Sequence, residues 1–279
     1  MRGLSRAALV CVACLVALPA LAQNSGLERL TRTEQILSWK AVGRVEIGDQ
    51  GFCTGTLIAT DLVLTAAHCL FDSQGNPRPV DMLTFRAGLA DGTSVADAKV
   101  ARATAHAKYL PGKGGQQDGQ QIRYDVALLQ LAADIPAALA PPFAVARPGD
   151  GATVSVVSYA RGREDALSWQ RSCTVLGRQQ GLIAVDCDVT FGSSGAPVFD
   201  RSQGRAQIVS IISAGARDAT GTVAFGMELP QLVSDLKAQL RSGRGVIGAE
   251  AQVGASIRRI TVGSGERAGG ARFLKAPGN

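Results

Sequence analysis

Between Val42 and Met227 the apolar residues come in short runs separated by turn residues, and that pattern limits the chain to strands. A helix shows apolar residues at a 3.6-residue period over about ten or more positions, whereas short alternating or continuous apolar runs between turn signals fit half-buried or buried strands. Val42–Ile47 alternates apolar and polar. Gly55–Ile58 and Leu62–Thr65 flank Ala59-Thr60-Asp61, a tight hairpin, and Ala66–Leu70 then forms a short helical turn. Further strands fit Met82–Ala87, Lys99–Ala105 and Arg123–Leu131, with a polar Gly-rich loop at 111–121. Ala132–Pro142 places three prolines among alanines and reads as a crossover between two halves. Strands of the second half fit Thr153–Tyr159, Gln170–Leu176, Leu182–Asp186, Ala196–Phe199, Gln207–Ile212 and Thr222–Met227. Only Pro230–Leu240 changes period, with Leu232, Val233, Leu236 and Leu240 on one helical face and proline in the first turn. With 46% apolar and 19% charged residues the chain can build a core, and with 5% aromatic residues that core is mostly Val, Ile, Leu and Ala.

The ends differ from the body. Arg2 and Arg6 precede an apolar run, Ala7–Leu18, and Ala20-Leu21-Ala22 closes it as a small-residue cleavage site. The run ends at Pro19 and is too short to span a bilayer, so residues 1–22 are expected to be a signal peptide and the mature chain to be secreted or periplasmic. Cys11 and Cys14 leave with it. Cys53, Cys69, Cys173 and Cys187 remain, and an even number in an exported chain argues for two disulfides, with three pairings open. These four cysteines lack C-x-x-C spacing and the chain has two histidines, so no metal site is expected. The net charge of +6 is concentrated at the ends, in Arg2 and Arg6 and in Arg241, Arg244, Arg258, Arg259, Arg267, Arg272 and Lys275, against Glu250 and Glu266. The body is near neutral, so no nucleic-acid partner is expected. After Ser242 the Gly/Ala/Arg-rich composition fits a loose tail, with one β-like run at Ser256–Val262.

Three stretches carry chemistry: Leu62-Val63-Leu64-Thr65-Ala66-Ala67-His68-Cys69, Arg123-Tyr124-Asp125-Val126-Ala127-Leu128-Leu129, and Phe191-Gly192-Ser193-Ser194-Gly195-Ala196-Pro197. A serine hydroxyl becomes a nucleophile when a base takes its proton, and a buried carboxylate holds that base in the right tautomer. Glycines around a serine let backbone N–H groups close on a bound carbonyl. Taken alone, each stretch has a plainer reading: a Gly/Ser turn, a structural histidine, a capping aspartate. The order His, Asp, Ser in strand-like settings is one of the known triad orders. His106, in Ala-Thr-Ala-His-Ala-Lys-Tyr, is read as a surface or packing residue.

Over roughly residues 40–240 the sequence resembles the trypsin/chymotrypsin-like serine proteases, in their bacterial secreted branch. The resemblance implies an all-β fold of two six-stranded antiparallel β-barrels with a C-terminal helix. It divides the chain into a lead-in or pro-segment (23–40), an N-terminal barrel (41–135), a C-terminal barrel (136–229), a closing helix (230–241) and a basic tail (242–279). It implies His68 as base, Asp125 as its partner, Ser194 as nucleophile, and the N–H groups of Gly192 and Ser194 as the oxyanion hole. It implies the disulfides Cys53–Cys69 and Cys173–Cys187, a monomeric endopeptidase acting on protein or peptide, and no cofactor. The specificity pocket is expected at Asp188, Thr190, Ser213 and Gly215. Asp188 lies six positions before Ser194, where trypsin-like members place the carboxylate that selects Arg or Lys, but Cys187 breaks their cysteine pattern and a strand-end aspartate is the plainer reading. The second wall is read as Ile212–Gly215, with Ser210 as an alternative register, and no histidine lies there to bind glutamate.

Ser193 stands where the animal digestive enzymes have an aspartate that captures a new N-terminus, and Trp39-Lys40-Ala41-Val42-Gly43 offers no matching start. Phe-Gly-Ser-Ser-Gly-Ala-Pro is closer to the glutamyl-endopeptidase-like members. Two rivals stand beside the protease: a catalytically silent homologue acting as an extracellular binding protein, and an α/β-hydrolase esterase. The esterase order Ser, Asp, His and its G-x-S-x-G motif are both missing.

Overall fold

The computed structural model describes residues 26–112, 117–149, 152–202, 204–218 and 221–248. The signal segment and the Ser256–Val262 run lie outside them. The described residues open with β1 (Leu27–Arg29) and α1 (Thr33–Leu37). They continue through β2 (Val42–Ile47), β3 (Phe52–Leu57), β4 (Leu62–Thr65), β5 (Leu83–Ala87), β6 (Ala96–Ala105), α2 (Gly119–Tyr124) and β7 (Ala127–Leu131). The strands pair in the cyclic order β2-β3-β4-β7-β6-β5, a closed six-stranded antiparallel barrel. Alternation makes this barrel: in β2, Gly43, Val45 and Ile47 are buried while Arg44 and Glu46 face outward. At Gly43 an added Cβ would lie 2.5 Å from the Phe85 ring, so the barrel closes only on glycine there.

The second half holds β8 (Thr153–Ala160), β9 (Arg163–Gln179), β10 (Leu182–Val185), β11 (Pro197–Asp200), β12 (Gln207–Ile211), β13 (Ala214–Asp218) and β14 (Gly221–Met227). Its ladder runs β12-β11-β8-β9-β10-β14-β13, a curled half-barrel. The architecture is the two-barrel, mostly β fold that the sequence led us to expect. Helix α3 (Pro230–Ser242) follows, starting on proline, burying Val233, Leu236 and Leu240, and ending on Gly243 at φ +72°. Beyond it β15 (Val246–Gly248) adds to the first barrel along β6.

Two elements differ from those expected, one through a local cap and one through long-range packing. Arg123–Leu131 is not one strand: Asp118 accepts from Gln121 N–H at 2.7 Å and the Gln121 side chain accepts from Asp118 N–H at 2.9 Å, a capping box that starts α2. Residues 26–40 form structure, with β1 on β9, Leu30 fully buried and Trp39 in the core. Trp39 lies 5.2 Å from Trp169, 5.0 Å from Phe199 and 6.0 Å from Phe143, so much of the sparse aromatic content gathers around this residue.

Candidate active site

Strand β4 delivers Ala66 and a 3-10 turn, Ala67–Leu70, whose Ala67, Cys69 and Leu70 are buried and whose His68 side chain keeps 29% exposure. The Cys53–Cys69 disulfide fixes this turn to β3, and Cys173–Cys187 ties β9 to the segment leading to Ser194. Cys53, His68 and Cys69 bring donor atoms within 4.8 Å of one another, but the two sulfurs are bonded to each other and are not available as thiolate ligands.

Asp125 closes α2 with no solvent exposure. Its Oδ1 accepts from the His68 N–H at 2.8 Å, and its Oδ2 lies 2.7 Å from His68 Nδ1. Gln117 Nε2 donates to Oδ2 at 3.2 Å. The Ser213 hydroxyl is 2.5 Å from Oδ2 and 3.0 Å from Gln117 Oε1, and its single proton serves the nearer, charged partner. Burial pushes the Asp125 carboxyl up, but the charge of His68 and the bonds from His68 and Ser213 outweigh it and hold the group below its ordinary 3.8. Burial likewise lowers His68, while the charge and hydrogen bond of Asp125 raise it further, above 6.5. The Nδ1 proton is therefore spent on Asp125 and Nε2 is the basic nitrogen.

The turn Thr190–Ala196 is clamped from the first barrel. Thr54, fully buried in β3, donates its N–H to Ser194 O at 2.8 Å and its hydroxyl to Gly192 O at 2.9 Å, and accepts Tyr159 N–H at 3.1 Å. Gly195 sits at φ +77° where a Cβ would lie 2.3 Å from Thr54 O and 2.4 Å from Thr65 Oγ1, so only glycine fits. Ser193 is fully buried and Ser194 is not, so only the second serine is presented to a ligand. The peptide carbonyl of Phe191 is taken by Arg161 N–H at 2.7 Å and that of Ser193 by Ala196 N–H at 2.9 Å. Across planar trans peptides the Gly192 and Ser194 N–H groups point the opposite way, and neither meets an acceptor among the described residues. The structure joins His68, Asp125 and Ser213 by direct hydrogen bonds. The Ser194 hydroxyl makes none among the described residues.

A model of the trypsin-like peptidase domain matches residues 53–207, more than half of the chain. The chain belongs to the trypsin-like peptidase family. No curated protein matches it. Among solved structures it is similar to a Glu endopeptidase (21% identity, TM-score 0.61, covering 76% of this chain and 95% of that one). It is also similar to the protease Anisep from Arthrobacter nicotinovorans (17%, TM-score 0.59, 75% and 96%) and to the thermostable serine protease AL20 from an extremophilic microorganism (20%, TM-score 0.58, 72% and 98%).

In this trypsin-like peptidase the residues expected to form the specificity pocket fall on two segments. Asp188 and Thr190 precede the serine turn, with Thr190 O accepting from Ser193 N–H at 3.0 Å; Ser213 and Gly215 follow β12. Ser210 is buried in β12, where its hydroxyl bonds Met227 O at 2.9 Å. His106 is buried and stacked on Tyr124 at 5.1 Å, a packing role. Thr54, Gln117 and Arg161 were invisible in the sequence. Thr54 and Arg161 act through bonds to residues 30 or more positions away, and Gln117 through bonds to Asp125 and Ser213, so no local spacing announces them.

Proposed function

We propose that this trypsin-like peptidase is an exported serine endopeptidase working through an acyl-enzyme, with His68, Asp125 and Ser194 as the catalytic residues. The observation that carries the reading is the buried Asp125 carboxylate on His68 Nδ1 at 2.7 Å, which leaves Nε2 free to act as base. His68 Nε2 takes the Ser194 proton as Oγ bonds to the scissile carbonyl carbon, and the carbonyl electrons move onto oxygen. The N–H groups of Gly192 and Ser194 bind that oxyanion, each contributing roughly 3 kcal/mol. The imidazolium then protonates the leaving amine as the C–N bond breaks, and water, deprotonated by the same nitrogen, hydrolyses the ester. Support for a formed oxyanion hole comes from the Phe191 and Ser193 carbonyls, both engaged elsewhere.

The two disulfides fit an oxidising compartment, in line with the signal-like N-terminus. Activation by removing residues up to 40 is disfavoured, because Leu30 and Trp39 belong to the core. The test is mass spectrometry of the full mature chain after treatment with an organophosphonate. One adduct on Ser194, lost in Ser194→Ala and in His68→Ala, supports the protease; a folded chain that takes no adduct points to a silent binding homologue.

A further inference from the structure

We propose that the enzyme cleaves after small uncharged residues such as alanine or serine, and that Val189 sets this limit. The inference rests on the protease reading and names its substrate class. Two backbone segments leave the nucleophile turn. Residues 188–191 are lashed to it through Thr190 O and Ser193 N–H. Residues 212–215 are lashed to it through Gly195 N–H on Ile212 O at 2.7 Å and Ile212 N–H on Ala196 O at 2.9 Å, and to the triad through Ser213. The side chain next to the attacked carbonyl has to pass between these segments, and Val189 occupies that gap. Its Cγ2 lies only 2.8 Å from where a Cβ on Gly215 would stand, which is van der Waals contact with the glycine backbone itself. Below, Val189 packs on the apolar cluster of the second half-barrel, which includes Cys187, Ile212 and Ala224. The filling between the two segments is therefore hydrocarbon, and Val189 leaves less depth there than a smaller residue would.

Asp188 is already engaged within the protein, which disfavours it as an acceptor for lysine or arginine. Its N–H goes to Gln170 Oε1 at 2.7 Å, and its Oδ1 lies 3.5 Å from the Thr222 hydroxyl on β14. Arg163, whose Nη1 is buried, already lies in the field of Asp188. A substrate cation reaching that carboxylate would meet the Arg163 charge. One misfitting group in such a slot changes kcat/KM by about 10- to 200-fold.

The experiment is a cleavage profile of the phosphonate-titrated mature enzyme on a peptide set varied at the residue before the cut. We expect kcat/KM after Ala or Ser to exceed that after Phe, Arg or Glu by about 100-fold. In Val189→Gly, and to a lesser degree in Val189→Ala, the Phe-to-Ala ratio should rise about tenfold or more. Efficient wild-type cleavage after Arg or Lys would restore Asp188 as a selector, and cleavage after Glu would assign that role to Arg163; either overturns the inference. So does a Phe-to-Ala ratio that does not move in the Val189 variants. An enzyme that takes the phosphonate yet cuts after large residues removes only the specificity claim; a chain that takes none removes the protease reading as well.

Discussion

Asp125 and Thr54 are both fully buried polar residues, and they do different work. Asp125 is stable as a carboxylate because four donors meet it: the N–H and Nδ1 of His68, Ser213 and Gln117. Its charge lifts His68 above 6.5, and a base must be neutral, so kcat/KM should rise with pH through a value above 6.5. In Asp125→Asn burial alone acts on the imidazole; the acid limb should move to lower pH while kcat falls about 10⁴-fold, both read from a pH–rate profile. Thr54 touches no substrate and positions the turn through Gly192 O and Ser194 O. Thr54→Val leaves the Gly192 carbonyl and the Tyr159 N–H unpaired, each worth about 1–3 kcal/mol when buried. We expect kcat to drop about tenfold or more with KM little changed, and Thr54→Ser to restore most of it, since the hydroxyl and not the methyl group makes the bonds. An equal loss in both variants would show that Thr54 merely packs. The three proposed catalytic residues were legible because each sits in a dense local motif; Thr54 was not, because its meaning lies in a bond to a residue 138 positions away.

At the level of elements, most strands were readable from period and turn chemistry, as β2 and β4 show, each found at its expected bounds. Helix α2 was hidden because Asp118 and Gln121 sit in a polar Gly-rich stretch, although their three-residue spacing is a capping box. The 3-10 turn that carries His68 is too short to hold itself and depends on its disulfide. The Cys53–Cys69 bridge spans 16 residues, so Cys53→Ala with Cys69→Ala should cost about 3 kcal/mol of stability in urea unfolding. Activity should fall further than stability explains, since Cys69 follows His68 directly.

At the scale of the molecule, the candidate site draws on both halves: the first brings His68, Asp125 and Thr54, the second Ser194 and Ser213. The N-terminal strap of β1 and α1 delivers Trp39 among Phe143, Trp169 and Phe199. Trp39→Ala should therefore destabilise the fold by about 3–5 kcal/mol in thermal or urea melts; a change below 1 kcal/mol would show that the strap is dispensable. By itself the sequence determined the all-β class, the two halves, the closing helix and the residue types available for nucleophilic chemistry, because periodicity, turn residues and short motifs are properties of neighbours along the chain. Only the tertiary structure decided that residues 26–40 join the core, that the Phe191 and Ser193 carbonyls are engaged away from the Gly192 and Ser194 amides, and that Val189 reaches Gly215. Apart from the short Ser193–Ala196 bond, each of these is a contact between segments far apart in sequence, whose distance depends on how those segments pack and not on any local pattern.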